Sequence, residues 1–265
     1  MNLVRSLLIL IVSLALVGCG EREPLQINHW RIDTGHNLTQ PIKVLQISDI
    51  HYRDDQSGPA VMAELAQIVG ATEPDIIAIT GDLTGEDLVT TDHIRPIILD
   101  GLEKLSEGRR AYITLGNHEA YTNRNRWISS LSRSSLRLIE DRPEIISIRG
   151  VEVCVRGLGD AFTGNYRYVP FSDDCVGIKL TLTHDPYAVQ SDPESGVYLA
   201  GHLHCGQISL PLIGPLWMPT EASEEYWCGY GSDGDKQWIT SSGVGNTFID
   251  VRIGTTASVE LIELY

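Results

Sequence analysis

The sequence predicts an α/β fold in which parallel β-α-β units are followed by a second, more strand-rich sheet. Two features support this prediction. Short β-branched runs alternate with longer segments of helical spacing as far as residue 115, and after Pro143 the apolar runs are separated mainly by turns. The 265-residue sequence contains no linker long enough to divide two domains, so we expect one domain.

The individual elements follow from local composition. Strands are predicted where β-branched and other apolar residues run together, and helices where apolar residues recur at helical spacing. Pro74 ends the first helix because proline cannot continue it, and Gly108 closes the second. The predicted strands span residues 25–33, 42–48, 75–80, 111–115, 145–149, 151–156, 178–182 and 197–200, and the predicted helices span residues 60–71 and 93–105.

Composition excludes some classes of function. With 42% hydrophobic and 21% charged residues, the chain has the composition of a globular protein and not of a disordered one. It contains 20 basic and 35 acidic residues, which gives a net charge of −15. Because such a field repels polyanions, we do not expect nucleic acid as a partner.

The N-terminus has the pattern of an export signal. Arg5 precedes the uncharged run 6–17, and Gly18 and Cys19 follow. A membrane-spanning helix needs about 20 apolar residues, so this run suits a signal peptide better than a transmembrane anchor. The small residue before Cys19 resembles a bacterial lipobox, in which the preceding peptide is removed and the cysteine is lipid-modified. A plain secreted protein is the alternative.

The lipobox interpretation divides the chain into three parts. Residues 1–18 are a signal peptide, residues 19–24 a lipidated N-terminus and tether, and residues 25–265 the globular domain. Loss of the signal removes only Arg5 and leaves a net charge of −16. Acyl chains on Cys19 would attach the protein to a membrane. We therefore expect an exported lipoprotein on the periplasmic side of the cell envelope, and Gly20, in place of an aspartate, favours the outer membrane.

Four further cysteines permit two disulfides in an oxidising compartment. Three pairings are possible. We favour Cys154 with Cys175 and Cys205 with Cys228, because each pair closes a short loop. Four free thiols remain the alternative, since a core of this size needs no covalent links.

Polar side chains follow five of the predicted strands at the point where each strand ends. The carboxyl ends of strands in an open α/β sheet form the crevice where ligands bind, so these side chains can meet there. Any one of these short motifs occurs often by chance, but five of them, each directly after an apolar run, indicate a shared site. They are Ser48-Asp49-Ile50-His51, Gly81-Asp82, Gly116-Asn117-His118-Glu119, Thr183-His184 and Gly201-His202-Leu203-His204.

These residue types predict a hydrolytic site with two metal ions. Carboxylate, amide oxygen and neutral imidazole are suitable ligands for Zn, Mn or Fe(II). Glycines stand beside Asp82, Asn117 and His202, where they permit the turns that aim the ligands.

The same motifs resemble the calcineurin-like metallophosphoesterase superfamily, from about residue 42 to the C-terminus. The resemblance implies a four-layer α/β/β/α sandwich with two divalent metal ions at the strand ends. The implied ligands of the first metal are Asp49, His51, Asp82 and His204. Those of the second are Asp82, Asn117, His184 and His202, which makes Asp82 the bridge. His118 would face the leaving oxygen of the substrate and be oriented by Glu119.

The implied activity is metal-dependent hydrolysis of a phosphoric ester. A metal-bridging hydroxide would attack phosphorus while His118 acts as the general acid. The run from Gly201 to Pro211 resembles a branch of bacterial exported or membrane-associated phosphodiesterases, although Leu203 and Cys205 depart from its pattern. We therefore expect a monomeric phosphodiesterase for a small phosphodiester, a nucleotide-sugar or a phospholipid-like substrate. A phosphomonoesterase with the same site and a non-catalytic lipoprotein with structural metals are the alternatives.

Residues 210–238 are rich in proline and aromatic residues and directly follow the last metal-ligand motif. The segment could be a cap that packs on an acyl chain or a base. We favour the alternative, a satellite hydrophobic cluster steadied by a Cys205–Cys228 bridge.

Overall fold

The computed structural model describes residues 23–85 and 88–265 and contains two six-stranded sheets. The predicted signal peptide and Cys19 lie outside the described residues. In the first sheet the order is β1-β14-β2-β3-β4-β5, and β2 to β5 are parallel. Its strands are β1 (Gln26–Ile32), β2 (Ile42–Ile47), β3 (Ile76–Thr80), β4 (Arg110–Thr114), β5 (Arg137–Leu138) and β14 (Ser258–Leu264).

The second sheet has the order β12-β13-β9-β8-β7-β6. Its four central strands, β7, β8, β9 and β13, are parallel, and each edge strand is antiparallel to its neighbour. The strands are β6 (Glu144–Ile148), β7 (Val151–Gly157), β8 (Ile178–Leu182), β9 (Gly196–Ala200), β12 (Gly229–Asp233) and β13 (Lys236–Thr240). A short hairpin of β10 (Ser209–Leu210) and β11 (Gly214–Pro215) lies outside both sheets.

Successive side chains of a strand point to opposite faces of its sheet. Both faces of the first sheet are buried, so this sheet lies between two other layers. In β2, Leu45 and Ile47 pack toward helices, whereas Ile42 and Val44 pack against the second sheet. A third cluster covers the outer face of the second sheet and includes Ala188 of a short helix. The helices are α1 (Ser57–Thr72), α2 (Leu88–Leu105), α3 (Asn117–Tyr121), α4 (Arg124–Leu131) and α5 (Tyr187–Ser191). The four-layer α/β/β/α sandwich that the family resemblance implies is confirmed.

The structure adds elements that the sequence analysis does not predict. Strand β14 lies between β1 and β2, parallel to β1 and antiparallel to β2. Strand β13 continues the second sheet beside β9. Helices α1 and α2 begin at Ser57 and Leu88, earlier than predicted, and Pro96 lies inside α2.

Two disulfides link the pairs of cysteines that the short-loop argument favours. Cys154 in β7 is bonded to Cys175, with Cα atoms 6.1 Å apart, and Cys205 is bonded to Cys228, with Cα atoms 4.9 Å apart. Within residues 23–85 and 88–265, no helix combines the length and apolar character needed to cross a membrane.

Candidate metal centre

The five strand ends meet where the carboxyl edges of the two sheets adjoin. Backbone hydrogen bonds fix their relative positions: the Asp49 amide donates to the Gly81 carbonyl at 3.0 Å, and the Gly201 amide donates to the His184 carbonyl at 2.9 Å. The sequence-predicted site residues are all buried in this region. They are Asp49, His51, Asp82, Asn117, His118, Glu119, His184, His202 and His204.

One group of donor atoms consists of Asp49, His51 and His204. The Nε2 atoms of the two histidines are 3.1 Å apart and lie 3.9 Å and 3.6 Å from Oδ1 of Asp49. Desolvation by burial lowers the pKa of both histidines to about 3. The two rings are therefore neutral near pH 7, which is the form of imidazole that binds a metal ion.

A second group consists of Asp82, His184 and His202, with Asn117 beside it. Nε2 of His184 lies 3.1 Å from Oδ2 of Asp82 and 3.1 Å from Oδ1 of Asn117. Nδ1 of His184 donates to the Thr80 carbonyl at 2.7 Å, so in the neutral form that binds a metal ion the ring would have its lone pair on Nε2, facing two oxygen acceptors. A cation satisfies all three atoms at once.

A backbone carbonyl holds the ring of His202 in place. Nε2 donates to the Pro219 carbonyl at 2.8 Å, which leaves the lone pair on Nδ1 of the neutral ring. Such a contact from the remote nitrogen to a backbone carbonyl fixes the tautomer and orientation of metal-binding histidines.

Asp82 connects the two groups. Its Oδ1 accepts from the amide of His118 at 2.9 Å, and its Oδ2 lies 3.1 Å from Nε2 of His184 and 3.8 Å from Nε2 of His51. Burial opposes ionisation of Asp82, but the neighbouring histidines outweigh it and hold its pKa well below the usual range. Burial alone would lower the pKa of His184, but the Asp82 carboxylate outweighs burial and raises it, so a metal ion at Nε2 would take the place of a proton.

This donor set fits two divalent ions, with Asp82 as the shared ligand. Nitrogen and oxygen donors with no thiolate suit Zn, Mn or Fe(II), and the carboxylates supply negative charge inside a buried pocket. Asp49, His51 and His204 would hold one ion and Asn117, His184 and His202 the other.

The backbone at the site lies in a region that non-glycine residues rarely adopt. Asp49, His51, Asp82, His202 and His204 have φ between 43° and 71°. Each such residue costs about 1–3 kcal/mol and persists only where its surroundings enforce it. These candidate metal ligands are therefore held in a strained backbone conformation at the ends of the strands. No local sequence pattern predicts this conformation.

Glu119 connects two backbone turns of the site. Its carboxylate accepts from the amides of Asp82 at 2.9 Å, Leu83 at 2.8 Å and Gly116 at 2.8 Å. The side chain thus joins the turn after β3 to the turn after β4, and these contacts do not involve the ring of His118. Glu119 therefore braces the backbone that carries Asp82. That it also orients His118 stays a prediction.

His118 faces both the metal-binding groups and an adjacent cavity. Its Nε2 is 3.8 Å from Oδ2 of Asp82, and its ring meets that of His51 edge to face, with centroids 4.5 Å apart. The cavity has a volume of about 440 Å³ and is also lined by Asn117, Tyr121 and Phe162. A substrate in this cavity would contact His118.

Two residues that support the site were missed as functional residues. The buried Gln207 donates from Nε2 to the carbonyls of Thr247 at 3.0 Å and Ile249 at 2.9 Å. Arg252 Nη2 lies 3.2 Å from Nδ1 of His204, and its guanidinium also donates to carbonyls of residues 242, 243 and 245. Gln207 reaches Thr247 across 40 residues and Arg252 reaches His204 across 48, so no local motif reveals these two residues.

Comparison with known proteins supports a specific family. Residues 42–206 match the calcineurin-like phosphoesterase family. Phosphodiesterase YaeI of Escherichia coli is 26% identical over 230 residues, which cover 84% of this chain and 82% of that protein. Metallophosphoesterase YkoQ of Bacillus subtilis is 27% identical over 256 residues, which cover 89% of this chain and 88% of that protein. A bovine transmembrane protein with a metallophosphoesterase domain is 25% identical, and the match covers 82% of this chain but only 52% of that protein.

Among solved structures, a dimetal phosphatase from Danio rerio is 12% identical, with a TM-score of 0.47, and the match covers 77% of this chain and 88% of that chain. The family match extends over more than half of the sequence and includes all seven proposed metal ligands, which follow β2, β3, β4, β8 and β9. The chain belongs to the calcineurin-like phosphoesterase family.

Proposed function

We propose that this protein is a phosphodiesterase that requires two divalent metal ions. The observation that carries the proposal is the position of Asp82 Oδ2 between His184 and His51, because a shared carboxylate is what a two-metal site requires. When bound, the two ions would supply positive charge for the phosphoryl oxygens and a water of lowered pKa.

The residues of this chain have distinct parts in such a reaction. Asp49, His51, Asp82, Asn117, His184, His202 and His204 hold the ions. His118 lines the cavity and is the general acid that gives a proton to the departing oxygen. Glu119 keeps the Asp82 turn in place through backbone amides.

The lining of the cavity favours a diester over a monoester. Among the described residues that line it, none is lysine or arginine, whereas Leu216, Trp217, Phe248 and Ile249 are apolar. A phosphomonoester dianion carries an additional negative charge that calls for a basic partner, while a diester has one charge and a second substituent that apolar walls can contact. The name of the Escherichia coli relative, a phosphodiesterase, agrees with this preference.

The experiment compares turnover of bis(4-nitrophenyl) phosphate and 4-nitrophenyl phosphate by the purified protein with Mn, Zn or Fe(II). We expect the diester to give the higher kcat/KM. His184→Ala should abolish turnover, whereas His93→Ala, a change at an exposed histidine on α2, should leave it intact. Faster turnover of the monoester would favour the phosphomonoesterase alternative. Turnover of neither ester, with metal bound, would favour a non-catalytic lipoprotein.

We also propose that the protein is exported and attached to the cell envelope through lipidated Cys19. The run of Arg5, residues 6–17 and Gly18-Cys19 supports this proposal, and so do two disulfides, which persist in oxidising compartments. Mass spectrometry of the N-terminal peptide should show an acylated Cys19. Cys19→Ser should abolish the modification and release the protein from the membrane fraction.

A further inference from the structure

A short hairpin and a neighbouring loop expose a group of apolar side chains, which we call the apolar rim. The β10–β11 hairpin places Leu212 and Ile213 at its tip, with relative exposures of 108% and 71%. Phe248, on the second loop, is 72% exposed. The apolar rim consists of Leu212, Ile213, Leu216, Trp217, Phe248, Ile249 and Val251.

The apolar rim is continuous and held in place. The rings of Trp217 and Phe248 meet edge to face, with centroids 5.6 Å apart, and so join the two loops. Gln207 binds the carbonyls of Thr247, Ile249 and Val251, and its Oε1 accepts from the Thr247 amide at 2.8 Å. These bonds present apolar side chains to solvent in a braced loop. Contiguous exposed apolar surface of this kind marks a site of interaction.

Part of the apolar rim also lines the candidate site, whereas Leu212 and Ile213 lie outside its lining. Leu216, Trp217, Phe248 and Ile249 line the same cavity of about 440 Å³ as His118. A ligand with its phosphorus near the metal-binding groups would therefore extend its apolar part along this wall.

The chain also enters the domain at this edge. Gln26, the first residue of β1, pairs with Ser258, whose amide donates to the Gly243 carbonyl at 3.0 Å. Val244, which follows Gly243, donates its amide to the carbonyl of Ser48, and Ser48 immediately precedes Asp49. From Cys19 to Leu25 the chain can span at most about 20 Å. A lipid on Cys19 would consequently hold the metal-site edge, and not the opposite edge, close to a membrane.

We propose that the apolar rim docks on a lipid surface and that the site hydrolyses a phosphodiester borne by a lipid, with the acyl part against the rim. The inference rests on the proposed phosphodiesterase function and names its substrate class. Apolar side chains and the strongly acidic composition both favour a neutral, zwitterionic surface over an anionic one.

The first test measures docking without turnover. Full-length protein carrying Leu212→Cys is labelled with a fluorophore and reconstituted into phosphatidylcholine vesicles, and quenching by aqueous iodide is recorded. Val176→Cys is the matched control, since Val176 is 82% exposed and precedes β8, at the edge opposite the site. We expect quenching at position 212 to be at least about fivefold weaker than at position 176.

Equal quenching at the two positions would overturn docking. Protection of position 212 that appears only at a high protein-to-lipid ratio would show that a second copy covers the rim, and it would overturn the proposal as well.

The second test compares two substrates with the same leaving group. One is soluble bis(4-nitrophenyl) phosphate, and the other is a diacyl phospholipid with a 4-nitrophenyl head group in phosphatidylcholine vesicles. In Leu212→Ser/Ile213→Ser we expect lipid turnover to fall by about tenfold, while turnover of the soluble diester stays unchanged. Ile145→Ser/Val176→Ser, two exposed changes away from the rim, should alter neither.

The outcomes separate the two proposals. Unchanged lipid turnover in the rim variant, with an active enzyme, would overturn the lipid inference alone. If the wild type hydrolyses neither diester, the proposed function fails and the substrate inference fails with it, whereas the quenching experiment still decides docking.

Discussion

Oδ2 of Asp82 lies 3.1 Å from Nε2 of His184 and 3.8 Å from Nε2 of His51, so one carboxylate oxygen faces both groups of donor atoms. Asp82→Asn keeps the size of the side chain but removes its charge. We expect loss of at least one metal equivalent and a fall in turnover of at least about 100-fold. Elemental analysis of the purified variant measures the first effect. Asp100→Asn, at an exposed position on α2, is the control, and retention of both metals by Asp82→Asn would refute the shared ligand.

His118 should matter most when the leaving group is poor. A general acid typically contributes 10²–10⁴-fold, and an alkoxide needs the proton far more than 4-nitrophenolate does. We expect His118→Ala to lower the hydrolysis of an alkyl phosphodiester by about 100-fold or more and that of bis(4-nitrophenyl) phosphate much less. Parallel kinetics on the two esters, with metal content checked, provide the test. An equal loss on both would argue against proton donation.

Gly81 occupies a position that a larger residue cannot take without strain. Its φ is +89°, and an added Cβ would lie 2.7 Å from both the Gly116 amide nitrogen and Nδ1 of His184. Gly81→Ala should lower the free energy of unfolding by about 1–3 kcal/mol and weaken metal binding. Gly70→Ala in α1, with no atom within 4 Å of the added Cβ, should instead raise it by about 0.5–1 kcal/mol. Urea unfolding of both variants measures the difference.

The two disulfides should differ in their effect on the site. Cys205 follows His204 directly, while Cys154 lies within β7. Replacing either pair by serine should lower the unfolding free energy by about 3 kcal/mol, because the loops are similar at 23 and 21 residues of separation. Only the Cys205→Ser/Cys228→Ser variant should also bind metal more weakly. Isothermal titration with Mn measures this, and equal affinities in the two variants would show that the bridge does not steady His204.

Asp75 should make stability depend on pH on the acid side. Burial alone would raise its pKa, but hydrogen bonds from Arg149 and the Lys43 amide outweigh burial and lower the pKa of this carboxyl. A lowered folded-state pKa gives stability that is present above the unfolded value of about 3.9 and is lost as the pH falls. The difference in unfolding free energy between wild type and Asp75→Asn should therefore shrink below about pH 4. A constant difference from pH 7 to pH 3 would contradict this assignment.

Much of the fold and site could be predicted because the signals are local. Asp82 and His184 each follow an apolar run within two residues, and strand ends in parallel sheets meet at one edge. The role of Glu119 could not be predicted, since its partners Asp82 and Leu83 lie 36 to 37 residues away. The same holds for Gln207 and for the place of β14 between β1 and β2, which depend on tertiary packing.

The central claim is that two metal ions, joined by Asp82, are required for diester hydrolysis. The most direct measurement is titration of metal-free protein with Mn while bound metal and bis(4-nitrophenyl) phosphate turnover are recorded together. We predict that turnover saturates at two equivalents in the wild type and that Asp82→Asn never reaches this level. Full turnover at one equivalent, or turnover without added metal after exhaustive chelation, would contradict the two-metal account.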